Sequence, residues 1–185
     1  MLTKMVAMDQ QEKYSVSFSD ITICCLEIIE QLKEDHFVPD VVACIMRGGL
    51  IPGRLIADYV EQFGVKPKML VVEASSHDKT ERLDPVNANL LFDVEDVYNK
   101  KVLLVDDVWS SGRTMQHVMG MLPTRLADIR ACVFVWKQCS FDFPRSPFPD
   151  SFCPSYFGKK SENKWIIFPW ERYSMSNYRI DTENF

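Results

Sequence analysis

No run of eighteen apolar residues occurs anywhere in the 185-residue chain, so no segment reads as a membrane-crossing helix. The first seventeen residues mix Lys4, Asp9, Glu12 and Lys13 into a stretch without the apolar block of a signal peptide. The expectation is a soluble cytoplasmic protein that makes no membrane contact. CxxC pairs are also missing. The six cysteines, Cys24, Cys25, Cys44, Cys132, Cys139 and Cys153, lie mostly inside apolar runs, where a free thiol behaves as a small hydrophobe. That usage fits a reducing compartment. Histidine is limited to positions 36, 77 and 117, too scattered for a zinc or iron cage, so any metal is expected to take oxygen ligands. Positive charge is not in excess: 21 Lys and Arg stand against 26 Asp and Glu, a net charge of −5. General binding to nucleic acid needs a basic surface and is not expected. Internal repeats and low-complexity segments are absent as well.

What remains is the composition of one compact domain with an ordinary core, 46% hydrophobic and 25% charged. From Ser19 the apolar positions Ile21, Cys24, Cys25, Ile28 and Leu32 recur at helical spacing, predicting a helix to about residue 34. Val41–Met46 is a short, continuously apolar run of the kind a buried parallel strand requires, and it ends in Arg47-Gly48-Gly49. Pro52 suits a helix start and Gly64 a stop. Residues 69–72 read as a strand, and residues 73–100 as a long polar loop with room for a hairpin. Residues 101–105 form the clearest strand. Met115, Val118, Met119 and Leu122 then place one apolar face on a helix over 114–122. Residues 130–136 give another buried strand and 164–168 a short one. Strands alternating with helices predict an α/β fold with a doubly wound parallel sheet. The prolines at 144, 147, 149 and 154 set residues 141–156 apart as an irregular cap over that sheet.

The chemistry concentrates in Val102-Leu103-Leu104-Val105-Asp106-Asp107-Val108-Trp109-Ser110-Ser111-Gly112-Arg113-Thr114. A buried strand leads into two carboxylates, a loop of small residues and a helix start, at the sheet edge where α/β proteins bind ligands. Backbone N–H groups of residues 111–114 suit an anion cradle, with the hydroxyls of Ser110, Ser111 and Thr114 as further donors. Asp106 and Asp107 suit a ribose cis-diol or a hydrated magnesium ion. A Walker B strand is the first alternative, but no GxxxxGK[ST] partner is present. A receiver-type acidic pair normally follows the first strand rather than standing at position 106.

The segment resembles the thirteen-residue phosphoribosyl pyrophosphate signature of type I phosphoribosyltransferases, and the likeness continues in order from about residue 41 to residue 171. Arg47-Gly48-Gly49-Leu50-Ile51-Pro52 resembles the pyrophosphate loop of the xanthine-guanine enzymes, which implies a cis peptide before Arg47. Ser75-Ser76-His77-Asp78 resembles the start of their flexible catalytic loop, with His77 in place of tyrosine; Lys79 and Arg82 are candidate pyrophosphate donors, the alternative being that they are solvated loop charges. Lys137 matches the lysine that binds the purine 6-oxo group, a pairing that selects a carbonyl over an amine. Lys164-Trp165-Ile166-Ile167-Phe168-Pro169-Trp170-Glu171 resembles the segment in which a tryptophan stacks on the base and the next residue's backbone reads its edge. The resemblance thus implies a single phosphoribosyltransferase domain over residues 1–185, with a core at about 19–137 and a small hood at about 138–185. It implies Arg47, Asp106, Asp107 and Ser110 as catalytic residues. Arg47, Gly48, Gly49, Ser75, Ser76, Asp106, Asp107, Ser110, Ser111, Gly112, Arg113 and Thr114 would bind phosphoribosyl pyrophosphate. Lys137, Trp165 and Ile166 would bind the base, and Asp106, Asp107 and Glu171 would bind Mg2+. The implied acceptor is a 6-oxopurine, and the implied assembly a homo-oligomer, dimer or tetramer.

Three features depart from the pattern. The stretch before Trp165 is longer, Glu171 stands where aspartate is usual, and Ser110 replaces the aspartate that faces purine N7. The serine leaves two rival readings open: a phosphoribosyl pyrophosphate-binding regulator without turnover, and a transferase for another base.

Overall fold

The computed structural model describes residues 12–78, 81–137, 153–162 and 164–171, the side chains of 75–78 and 81–86 excepted. Its first helix, α1 (Phe18–Glu34), begins one residue earlier than the apolar spacing predicts. Spacing decides which serine caps it. Ser17 stands three residues before Asp20, so the Ser17 hydroxyl accepts from the Asp20 N–H at 3.1 Å while the Asp20 carboxylate accepts from the Ser17 N–H at 2.8 Å. Strand β2 (Val41–Met46) follows with the predicted bounds. Helix α2 (Leu50–Val60) starts two residues before Pro52, which therefore sits inside its first turn, and a 3₁₀ turn ends at Gly64 in the left-handed region.

The long polar stretch is mostly regular. β3 (Lys68–Asp78) and β4 (Glu81–Leu90) form an antiparallel hairpin where a loop with a small hairpin was expected. Strand β5 runs Lys101–Trp109, four residues past the predicted end, and so carries both aspartates within it. Helix α3 (Arg113–Met121) and strand β6 (Asp128–Lys137) follow close to prediction. Strand β7 (Tyr156–Ser161) begins at the last residue of the proline-rich stretch, a position read from sequence as irregular; most of that stretch lies outside the described residues. Tyr156 itself is buried and joins the core.

The six-stranded sheet has the order β4-β3-β2-β5-β6-β7, parallel except for the β3–β4 pair. Strand alternation divides its core in two. Val42, Cys44, Leu103, Val105, Cys132 and Phe134 pack with α1 and α2 on one face. Val41, Ala43, Ile45, Leu104, Ala131 and Val133 pack with Met115 and Val118 of α3 on the other. A second sheet pairs two three-residue strands in parallel: β8 (Trp165–Ile167), as predicted, and β1 (Lys13–Ser15), which the sequence did not reveal. No helix among the described residues is long and apolar enough to cross a membrane.

Candidate active site

Parallel order brings the C-terminal ends of β2, β5 and β6 to one edge, and with them Arg47, Asp106, Asp107 and Lys137. The two aspartates are consecutive, so alternation turns them to opposite faces of the sheet. Asp106 faces the start of α3. It lines a hollow of about 50 Å³ with residues 108–115 and Val133. Asp107 lies against the loop after β2, where a Cβ added to Gly48 would stand 2.3 Å from its Oδ2. Only glycine permits that approach. Gly49 is held as closely, since its added Cβ would meet the Val105 carbonyl oxygen at 2.2 Å. The peptide between Met46 and Arg47 is cis, as the resemblance implied. Arg47 is exposed at the edge.

Around the hollow, Gly112 has φ +72° and caps α3, whose fourth N–H, from Gln116, is already paired with the Gly112 carbonyl at 2.9 Å. The N–H groups of Thr114 and Met115, earlier in that turn, lack intrahelical acceptors by position, and both residues line the hollow. This is the arrangement that binds an anion at a helix start. Ser110 is exposed, while Ser111, Arg113 and Thr114 are half-buried. Trp109, which sequence reasoning passed over, is buried with its indole beneath Gly112: an added Cβ there would stand 2.7 Å from the ring. Its signal was a bulky aromatic set directly before a loop of small residues.

Burial pushes the Asp106 carboxyl well above its ordinary range, with the adjacent Asp107 charge adding to the shift. Asp107 is pushed up to about 6, first by burial and then by repulsion from Glu171. Glu171 thus lies close enough to act on Asp107 from a separate part of the chain. It is fixed there by reciprocal bonds, its Oε2 accepting from the Phe168 N–H at 2.9 Å and its own N–H donating to the Phe168 carbonyl at 3.0 Å. No three His, Cys, Asp or Glu side chains among the described residues converge into a ready-made metal cage. Magnesium does not require one, because it commonly keeps waters and substrate phosphates beside one or two carboxylates. A half-buried carboxyl pair whose ionisation is opposed by a third acid suits such a cation.

Across the edge, the Lys137 ammonium lies 5.8 Å from the centre of the Trp165 ring. Trp165 is 43% exposed. Ile166 beside it is buried. Ser75 and Ser76 lie on β3, but their side chains, like those of His77, Asp78 and Arg82, fall outside the described residues, as does Lys79.

The phosphoribosyl transferase domain family matches residues 19–174. Among curated proteins, the chain is 24% identical to xanthine phosphoribosyltransferase 1 of Saccharomyces cerevisiae, covering 94% of this chain and 96% of that one. It is 23% identical to the hypoxanthine-guanine phosphoribosyltransferase of the same yeast, covering 89% and 88%. Among solved structures, a purine phosphoribosyltransferase from Pyrococcus horikoshii shares the fold with a TM-score of 0.65 at 22% identity, covering 91% of this chain and 99% of that one.

Proposed function

The chain belongs to the phosphoribosyl transferase family, and on that premise we propose that it transfers phosphoribosyl from phosphoribosyl pyrophosphate to a 6-oxopurine. The products are the nucleoside monophosphate and pyrophosphate. The observation that carries the choice of base is the Lys137 ammonium over the partly exposed Trp165 ring. A base stacked on Trp165 has that cation close by, which favours a carbonyl oxygen and disfavours an exocyclic amine. The relatives that are xanthine and hypoxanthine-guanine phosphoribosyltransferases support the same reading.

In the proposed reaction a base nitrogen attacks C1 of the ribose as pyrophosphate leaves, through a transition state with oxocarbenium character. Thr114, Met115 and the loop before them hold the 5′-phosphate in the hollow. Asp106 and Asp107 hold the ribose diol, and Arg47, Gly48 and Gly49 receive the diphosphate. Trp165, Lys137 and the Ile166 backbone align the base for in-line attack, so positioning supplies much of the rate. Asp106, Asp107 and Glu171 would hold magnesium, which when bound would neutralise the leaving charge. A reducing cytoplasm and a homo-oligomeric assembly complete the reading.

The test is to incubate the protein with phosphoribosyl pyrophosphate, magnesium and guanine, xanthine, hypoxanthine or adenine in turn, and to measure pyrophosphate release. Release with at least one 6-oxopurine and none with adenine is expected. Ser110, exposed at the mouth of the hollow where a carboxylate is usual, favours a second reading, a regulator that binds phosphoribosyl pyrophosphate without turnover. Tight binding with no release for any base would establish it.

A further inference from the structure

The N-terminal strand β1 shares no catalytic residue with the site, yet it is the partner of the strand that presents the base platform. Its register sets Lys13 against Trp165, Tyr14 against Ile166 and Ser15 against Ile167. The Trp165 N–H donates to the Glu12 carbonyl at 2.8 Å, and the Val16 N–H donates to the Ile167 carbonyl at 2.9 Å. Residues 165 and 167 therefore turn their peptide groups toward β1. In a parallel ladder the alternation then turns the N–H and C=O of Ile166 to the edge away from β1, the edge that a base on Trp165 would face on the proposed reading.

The strand is itself tied down at both ends. Val16 is buried and leads directly into the Ser17–Asp20 capping box of the core helix α1. Outside the ladder, the Lys159 ammonium donates to the Tyr14 hydroxyl at 2.8 Å, and the Lys164 ammonium pairs with the Glu12 carboxylate at 3.0 Å. A three-residue strand on one partner has little order of its own, so the direction of the Ile166 peptide groups depends on β1.

We propose that β1 is a positioning element for the acceptor base: it sets the plane of Trp165 and the outward direction of the Ile166 peptide groups, and so acts on base recognition while leaving the phosphoribosyl site alone. The inference rests on the reading of Trp165 and Lys137 as the base platform.

Calorimetry with the full chain tests it, using the 5′-monophosphates of guanosine, inosine and xanthosine as probes and ribose 5-phosphate as the probe without a base. Tyr14→Pro removes an N–H that alternation points into the ladder, whereas Lys13→Pro removes one that points away from it. Tyr14→Pro is expected to weaken the tightest-binding monophosphate about tenfold while ribose 5-phosphate affinity stays within about twofold, the loss of oriented contacts to one ligand portion only. Lys13→Pro is expected to bind both probes like the wild type. Tyr14→Ala keeps the backbone donor but loses the Lys159 contact, and should show a smaller loss of the same kind; it decides the matter if Tyr14→Pro does not fold. Equal losses for both probes, or no loss in any Tyr14 variant while Trp165→Ala still loses the monophosphate, would overturn the proposal. If Trp165→Ala binds the monophosphate normally, the base-platform reading is what fails.

Discussion

At the scale of single residues, the aspartate pair and Ser110 carry the sharpest expectations. Charge-assisted bonds contribute about 1.5–3 kcal/mol each, so Asp106→Asn with Asp107→Asn should weaken phosphoribosyl pyrophosphate binding by at least about tenfold. Calorimetry measures this, and unchanged affinity would mean that neither side chain holds the ribose as proposed. Ser110 raises a different question, because a hydroxyl can bond to purine N7 but cannot hold its proton at neutral pH. Positioned acid–base help is typically worth about 10²–10⁴-fold. Ser110→Asp is therefore expected to raise the single-turnover rate with a 6-oxopurine. A carboxylate so near the hollow proposed to hold the 5′-phosphate should also lower phosphoribosyl pyrophosphate affinity somewhat, which is why the rate is read at saturation. A variant with an unchanged or slower chemical step would show that Ser110 does not stand in for a missing base.

At the scale of elements, legibility followed burial. Val41–Met46 was readable to the residue because a strand covered on both faces is a continuous apolar run, here bounded by Asp40 and Arg47. The signature around Asp106 was readable because a strand end, two acids and a small-residue loop must follow one another in sequence to meet in space. The elements that escaped are those with one side uncovered. β4 and β7 are the outer strands of the sheet; β4 even contains Pro85, tolerated only where a strand has a free edge or a bulge. β1 has three residues and no pattern of its own, and its partner lies some 150 positions away. Glycines make the same point experimentally, since position alone decides what a methyl group does. Gly120→Ala, in α3 with nothing within 4 Å of the added Cβ, should stabilise the fold by roughly 0.5–1 kcal/mol. Gly48→Ala drives a methyl into the Asp107 carboxylate and should instead cost phosphoribosyl pyrophosphate affinity. Thermal melts and calorimetry on the two variants separate these effects, and similar behaviour in both would mean the Gly48–Asp107 approach is not needed for binding.

At the scale of the whole molecule, the site's electrostatics set the fold and its ligand against each other as pH changes. The folded chain raises both Asp106 and Asp107 above their ordinary values, by burial and by repulsion among neighbouring acids. It therefore holds these protons more tightly than the unfolded chain does. Their contribution to stability is fully present below the unfolded carboxyl pKa and is lost as pH rises through the folded one. For Asp107, raised from 3.8 to about 6, that loss runs from about pH 4 to neutral pH. Asp20 works in the opposite sense, since its bonds to Ser17 hold it below the ordinary value and its contribution fades as pH falls. That group is exposed, so its effect is small. Between about pH 5 and pH 7.5 the ligand-free protein should accordingly lose melting temperature, and Asp107→Asn should flatten that fall because its amide does not titrate. If magnesium and phosphoribosyl pyrophosphate bind at this pair as proposed, they select its ionised form, so their stabilising effect should grow over the same interval as binding tightens. Thermal melts of wild type and Asp107→Asn, each with and without the ligands, contain the whole test. Parallel pH curves for the two ligand-free proteins would place the Asp107 titration outside this interval and remove burial of the acid pair as a cost that ligand binding relieves.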